Sequence, residues 1–404
     1  MPDNPTVRSY PPPRRSATGI PGEYARLREA DPAAEVVMPS GDPAFLFSRY
    51  DDVRTVLSDS RCSRAATVLP ESPKLTAVPF DAGGLFTMDP PEHTRLRSLV
   101  AGAFTARRVE LLRPRIAELA DGLLAGMAER GGPVDFNDAF AFPYPVAVIC
   151  ELLGVPFADR ERFRAWSEGI VSLTAHTPEE MLERKLALVG YLQDLARDKR
   201  RRPGDDLLSA LVQVRDEDGP LTEHELITMA MTLLVAGHET TVSVLGASVF
   251  TLLRHDGGVK LVPEEPEPLA ALVEELLRIN PIGDGGPLRV TTDEIEVAGV
   301  TVPAGSAVIG AICSANRDGR RFGDPDRFDP DRFAPDRRDG PHLAFGHGPH
   351  YCLGAPLARA ELQIALSALA RRFPGLRLAA PAEEIRMRTG LLVNRLEALP
   401  VEWD

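Results

Sequence analysis

The sequence predicts a mainly α fold with a minor β region, organised as a single domain. Three features carry that expectation. From residue 92 to about 255, apolar residues recur at helical spacing almost without interruption. Residues 294–313, "EIEVAGVTVPAGSAVIGAIC", instead alternate apolar and polar side chains around glycine-containing turns, which is the period of short strands. A last clear helix, "PLARAELQIALSALARRF" at 356–373, ends the periodic pattern.

Taken in order, residues 1–19 read as a proline-rich extended tail, leaving 20–404 as the domain. Apolar runs at 35–37 and 44–47 read as strands. Helices are expected at 92–104, 107–130, 138–153, 159–173, 178–200, 205–216 and 223–254, with proline or glycine at most joints. Residues 254–270, "RHDGGVKLVPEEPEPLA", read as irregular. The loop-rich stretch 316–350 is long enough to suggest a functional loop.

Composition removes several classes. With 44% apolar residues, the chain of 404 residues can bury a sizeable core, so it is not disordered. A net charge of −13 argues against nucleic acid as a partner. The N-terminus lacks the apolar stretch of a secretory signal. Residues 226–253 are the one membrane-like run, and His238, Glu239, Thr240 and Thr241 interrupt it. A soluble, cytoplasmic protein that does not span a membrane is expected.

The four cysteines, Cys62, Cys150, Cys313 and Cys352, are scattered with no C-x-x-C pair, which disfavours a disulfide framework and a zinc site. Cys352 lies in "FGHGPHYCLG", residues 345–354, directly before the last helix. A packing thiol is the ordinary reading of a lone cysteine. This one, however, stands at a helix N-terminus, where amide donors and the helix dipole stabilise a thiolate. Gly346, Gly348 and Gly354 permit a tight turn and close approach of a large flat ligand.

"FGHGPHYCLG" resembles the haem-binding loop of cytochrome P450 enzymes, F-G-x-G-x-x-x-C-x-G. "EELLR" contains the family's E-x-x-R pair as Glu275 and Arg278, "PDRF" supplies Arg332, and "AGHETT" is similar to the oxygen-activating segment of its long central helix. The resemblance covers the chain from about residue 20 to the end and is strongest to the soluble bacterial branch. It implies a triangular, mostly helical domain around one buried haem b, with Cys352 as axial thiolate and Phe345 packed beside the sulfur.

The resemblance also implies propionate partners at His93, Arg97, His350 and Arg289. It implies a structural network of Glu275, Arg278 and Arg332 supporting the cysteine loop. Ala236 and Gly237 would lie against the haem, with Gly237 leaving room for a diatomic ligand. Thr240, four residues after Ala236, can bond that carbonyl and open a groove, and Glu239 beside it completes the family's acid–alcohol pair for proton delivery. Substrate contacts are implied at Leu85, Phe86, Leu233, Leu288, Leu391 and Leu392, the helical region 160–200, and the glycine-rich "PIGDGGPLRV".

The implied activity is monooxygenation of a small, mostly apolar metabolite in bacterial secondary metabolism, using dioxygen. With no flavin or nicotinamide fingerprint in the chain, the electrons would come from a ferredoxin and its reductase. Oxidative coupling or cyclisation, peroxide-driven turnover and a non-catalytic haem sensor stay open, the last disfavoured by Glu239 and Thr240. A monomer is expected. Arg107, Arg108, Arg113, Arg337, Arg338 and Arg359 would form a basic patch for an acidic ferredoxin.

Overall fold

The computed structural model describes residues 8–14, 19–78, 82–216, 221–337 and 340–404. The chain opens with helix α1 (Glu23–Ala30), strands β1 (Ala33–Val37) and β2 (Pro43–Phe47), helix α2 (Tyr50–Ser58) and strand β3 (Cys62–Ser63). The two strands match the apolar runs read in the sequence. The two helices do not stand out there, because each is only two turns long and owes its stability to packing. α2 buries Tyr50, Val53, Val56 and Leu57 on one face.

The helical body follows: α3 (Glu92–Ala101), α4 (Ala106–Arg130), α5 (Pro143–Leu153), α6 (Arg160–Ile170), α7 (Pro178–Arg201), α8 (Leu207–Asp216) and α9 (Glu223–Leu253), with the short strand β4 (Val134–Asp135) between α4 and α5. Capping boxes start two of these helices, Thr177 with Glu180 on α7 and Thr222 with Glu225 on α9. α9 is long and apolar enough to cross a membrane, yet it is mostly buried inside the protein as its core helix. α10 (Pro266–Ile279) corrects the irregular reading of 254–270. A proline at the first turn begins the helix rather than breaking it.

Strands β5 (Leu288–Thr291), β6 (Ile295–Val297), β7 (Val300–Val302) and β8 (Ala307–Gly310) occupy the alternating region, followed by the one-turn helix α11 (Ile312–Ala315). The main sheet has the order β1-β2-β8-β5-β3, with β2 and β8 parallel and the other neighbours antiparallel. α12 (Ala355–Arg372) then leads to β9 (Arg377–Leu378), β10 (Met387–Arg388), β11 (Arg395–Leu396) and β12 (Pro400–Glu402). β10 pairs with β11, and β12 pairs with β4 and β9.

Part of the stretch read as a tail is held against the body. Ser9 bridges to Val37, Tyr10 is buried, and Arg14 pairs with Asp284. Two glycines of "PIGDGGPLRV" answer to close packing. A Cβ on Gly285 would sit 1.9 Å from the Tyr10 hydroxyl, and one on Gly286 would sit 1.9 Å from the Gly310 carbonyl. Close packing of that loop, rather than a substrate surface, requires glycine at these two positions.

Candidate functional site

The cysteine loop is a tight structure built by its own backbone. The Cys352 amide donates to the Phe345 carbonyl at 2.9 Å, and Gly346 donates to Leu343 at 2.8 Å. Gly346 and Gly348 both have φ of +74°, a conformation that favours glycine. A Cβ on Gly348 would also strike the Leu57 carbonyl of α2 at 2.8 Å. Gly354 differs. Its backbone is ordinary, and a Cβ there would meet only open space, which is room for a flat ligand beside the thiol.

Cys352 is exposed, whereas Cys62, Cys150 and Cys313 are buried. The surrounding protein still desolvates the Cys352 thiol and pushes its pKa up. Amides of Gly354 and Ala355 at the start of α12, together with Arg97 and Arg359, pull it back down.

Beside the loop lies a cluster of arginines and histidines, several with unmet hydrogen bonds. His93, on α3, lies against His350 with ring centroids 4.2 Å apart and the rings tilted by 41°. The buried atoms His93 Nδ1, His350 Nε2 and Arg289 Nη1 have no hydrogen-bond partner. The nearest carboxylate to His350 is Asp89, at 4.0 Å. Burial, then His93, Arg64 and Arg289, lower the His350 pKa to about 3. Burial also lowers the Arg289 pKa to about 10. Arg97 donates to the Tyr351 carbonyl at 2.7 Å, which ties α3 to the cysteine loop. Buried donors without acceptors are costly, and a ligand carrying carboxylates would satisfy them.

Arg64 belongs to this cluster and was not anticipated. It is buried, donates to the carbonyls of Phe86 (2.6 Å) and Leu288, and burial lowers its pKa to about 9. No local pattern in "RCSRAA" distinguishes it from a surface arginine.

Glu275, Arg278 and Arg332 come together as expected. Arg278 makes a two-point contact with Glu275 at 2.7 Å, and Arg332 reaches the same carboxylate at 3.2 Å, all three groups being buried. Arg278 also holds the Asn316 carbonyl at 2.8 Å. The Asn316 side chain receives the Leu343 amide at 2.7 Å, so the network braces the entry to the cysteine loop.

On α9, from Glu225 to Phe250, every residue is buried except Thr232, Ala236, Gly237, Thr240 and Ala247. Thr232, Ala236, Thr240 and Ala247 share one stripe of the helix, each only partly buried. The Thr240 hydroxyl donates to the Ala236 carbonyl at 2.7 Å. Glu239 is buried beside His238. Gly237 needs correction. A Cβ there would meet Ile149 of α5 at 2.7 Å, so its missing side chain permits close helix packing rather than making room for a diatomic ligand.

A small cavity lies beside the N-terminal half of α9. It is lined mostly by apolar side chains, including Leu75, Ile170, Met181, Met231 and Leu392, with Lys185 the charged member. Of the six substrate contacts expected, only Leu392 is in this lining. Leu85, Leu233, Leu288 and Leu391 are buried elsewhere in the core, and Phe86 is exposed. From the helical region 160–200, Gly169 and Ile170 of α6 and Met181 and Lys185 of α7 contribute to this lining.

The arginine patch also changes. Arg359 makes a two-point contact with Glu274 (2.7 and 2.8 Å) and lies over the Phe345 ring at 4.5 Å. Burial pushes the Glu274 carboxyl up, but Arg359 and His342 outweigh it and hold its pKa at about 2. Arg113 is bonded to Glu110 and Gln363, and Arg337 to Asp329. Arg338 lies outside the described residues. Arg107 and Arg108 are exposed in the first turn of α4.

Residues 267–394 match the family model described as Cytochrome P450. The chain is 48% identical over 399 residues to nocardicin C N-oxygenase of Nocardia uniformis subsp. tsuyamanensis, an alignment spanning 98% of this chain and 99% of that protein. It is 44% identical over 397 residues to mycinamicin IV hydroxylase/epoxidase of Micromonospora griseorubida, with 98% of each covered. Among solved structures it is similar to SgvP, a candidate thioether synthase in the tailoring step of griseoviridin. The TM-score is 0.93 at 45% identity, covering 98% of this chain and 100% of that one.

Proposed function

The chain belongs to the cytochrome P450 family, and from that premise we propose how its residues hold the haem, move protons and receive substrate and electrons. It is a haem b monooxygenase that takes dioxygen and electrons from a redox partner to oxidise a small molecule. Haem held by a thiolate supplies the oxygen chemistry, because the thiolate favours O–O cleavage.

Cys352 would hold the haem iron through its thiolate. The observation that carries this assignment is its exposed thiol before α12, against three buried cysteines. His93, Arg97, Arg289, His350 and Arg64 would receive the two haem carboxylates, a role supported by the unpartnered buried atoms of His93, Arg289 and His350. Phe345, Gly346 and Gly354 would shape the thiolate side of the site, and Ala236 with Thr240 would line its other side on α9. Glu239 and Thr240 handle protons. The apolar cavity suits a mostly apolar substrate, bound against α6, α7 and the loop at Leu392.

The electron donor is an acidic ferredoxin, docking where Arg107 and Arg108 stand. Two cations in the first turn of α4 oppose its helix dipole, a local cost that a docking role would justify. One domain, with residues 9–14 packed onto it, acts as a monomer in the cytoplasm.

In the ferrous carbon monoxide complex, the wild type should show the red-shifted Soret band of thiolate ligation. Cys352→Ala should lose it, while Cys62→Ala, Cys150→Ala and Cys313→Ala keep it. A normal band in Cys352→Ala would end the assignment. The likeness to SgvP favours a second outcome, bond formation within the substrate without oxygen insertion. Product made under heavy-isotope dioxygen decides between them by the presence or absence of label.

A further inference from the structure

His238 and Glu239 are neighbours on α9, and each has a buried atom with no hydrogen-bond partner: Nε2 of the imidazole and Oε1 of the carboxylate. Those two atoms are 3.4 Å apart. The tautomer is settled by the other ring nitrogen. His238 Nδ1 lies 2.6 Å from the Leu234 carbonyl, which can only accept, so Nδ1 carries hydrogen and Nε2 of the neutral ring presents a lone pair. A lone pair and a carboxylate oxygen at this separation repel each other. One proton between them satisfies both.

A second feature makes that proton adjustable. Arg395 on β11 brings Nη1 to 4.0 Å from Glu239 Oε2, while its Nη2 donates to Glu168 at 2.5 Å. Glu168 is on α6, next to the cavity-lining Gly169 and Ile170, and Arg388 clamps it at 2.7 and 3.0 Å. Burial pushes the Glu168 carboxyl up, but Arg395 and Arg388 outweigh it and keep it ionised. Arg395 is therefore shared between the acid of α9 and the helix bordering the cavity.

We propose that His238 and Glu239 share one proton between Nε2 and Oε1 as a reserve beside Thr240, and that Arg395 sets how readily it is released. The step moves a proton only. Nε2 gives it to Oε1, Glu239 passes it towards the Thr240 face, His238 returns to the neutral tautomer, and solvent restores the proton afterwards. This assignment rests on the monooxygenase reading, in which Thr240 handles protons.

The charges facing the pair are few. β11 brings Arg395, with Glu168 of α6 and Arg388 of β10 behind it. Phe142 sets its ring edge-on to His238, at 6.3 Å. Of the other elements packed on α9, α10 spends Glu275 and Arg278 on each other, and α7 pairs Arg200 with Glu223 at the far end. α12 contributes Glu361, whose carboxyl burial pushes well above the ordinary carboxylate range. The Glu151 of α5 pairs with Arg115, and Lys260 of the turn after α9 is exposed.

The test is histidine-selective nitrogen NMR of the haem-loaded, diamagnetic ferrous carbon monoxide complex. At about pH 7 the wild type should report His238 Nε2 as protonated or strongly hydrogen-bonded. Glu239→Gln removes the partner carboxylate and should leave Nε2 unprotonated. Arg395→Gln removes a competing cation and should strengthen the shared-proton signal, while Arg395→Lys returns it towards the wild type. An unprotonated, free Nε2 in the wild type overturns the proposal, without need of any variant. So does an Nε2 in the same state in Glu239→Gln as in the wild type. The red-shifted Soret band is recorded on every sample. Its absence from the wild type would sink the haem-thiolate assignment instead.

Discussion

Arg64 illustrates what a single residue contributes here. It is buried, bonded to two backbone carbonyls, and set among His93, Arg289 and His350, where positive groups already outnumber carboxylates. Clustering of that kind is unfavourable without a ligand of opposite charge. Arg64→Lys keeps the charge but loses the planar fork that reaches several acceptors at once. A charge-assisted hydrogen bond is worth ~1.5–3 kcal/mol, so haem should transfer from the variant to a haem-free acceptor globin at least about ten times faster. An unchanged transfer rate would remove Arg64 from the haem site and leave it a brace for Phe86 and Leu288.

Elements are held in place by two carboxylate–arginine networks that approach the cysteine loop from different directions. In the first, Arg332 completes the pair between Glu275 and Arg278 on α10, and all three are buried. Removing one partner from a buried ion network costs ~3–5 kcal/mol. Arg332→Ala should therefore lower unfolding free energy in urea by about that amount and yield mostly haem-free protein. In the second, Arg359 on α12 joins Glu274 on α10 and covers Phe345. Reversing its charge should set two carboxylates against each other and reduce thermal stability. Arg108→Glu, on the exposed first turn of α4, should leave stability unchanged and raise the ferredoxin concentration needed for half-maximal reduction. That concentration should also rise with salt in the wild type, as screening shortens from ~10 Å at 0.1 M to ~3 Å at 1 M. Equal ferredoxin responses from Arg108→Glu and a neutral control substitution would place docking elsewhere.

For the whole molecule, the haem-site histidines link stability to pH. The His93 and His350 midpoints both lie below the ordinary histidine value of 6.5, through burial and through neighbouring cations. The unfolded chain therefore binds protons that the folded haem-free protein refuses. The stabilisation is complete above about pH 6.5 and is lost as pH falls towards about 3. Between about pH 6.5 and pH 5 the haem-free protein should lose about 2 kcal/mol of unfolding free energy. The haem-loaded protein should lose less than half of that, because haem carboxylates favour the protonated rings. Urea unfolding at both pH values, with His350→Gln as a control that flattens the haem-free dependence, checks the sign. Equal losses with and without haem would mean that the two rings do not face its carboxylates.

Local pattern by itself determined the long helices, the strand region, the cysteine loop and the acid–alcohol step in α9. These depend on periodicity, on glycine and proline at turns, and on residues close together in the chain. Thr240 could be matched to the Ala236 carbonyl because four residues make one helical turn. Tertiary structure decided everything that depends on which distant surfaces meet. Gly237 faces Ile149 across a helix contact, and Tyr10 fits against Gly285 from the far end of the sequence. Arg64 finds Leu288, and Arg395 stands between Glu168 and Glu239. An arginine carries the same local signature on a surface as in a buried cluster. Only the packing of α6, α9 and β11 against one another removes the water that would otherwise make its charge unremarked, and turns it into a constraint on the groups beside it.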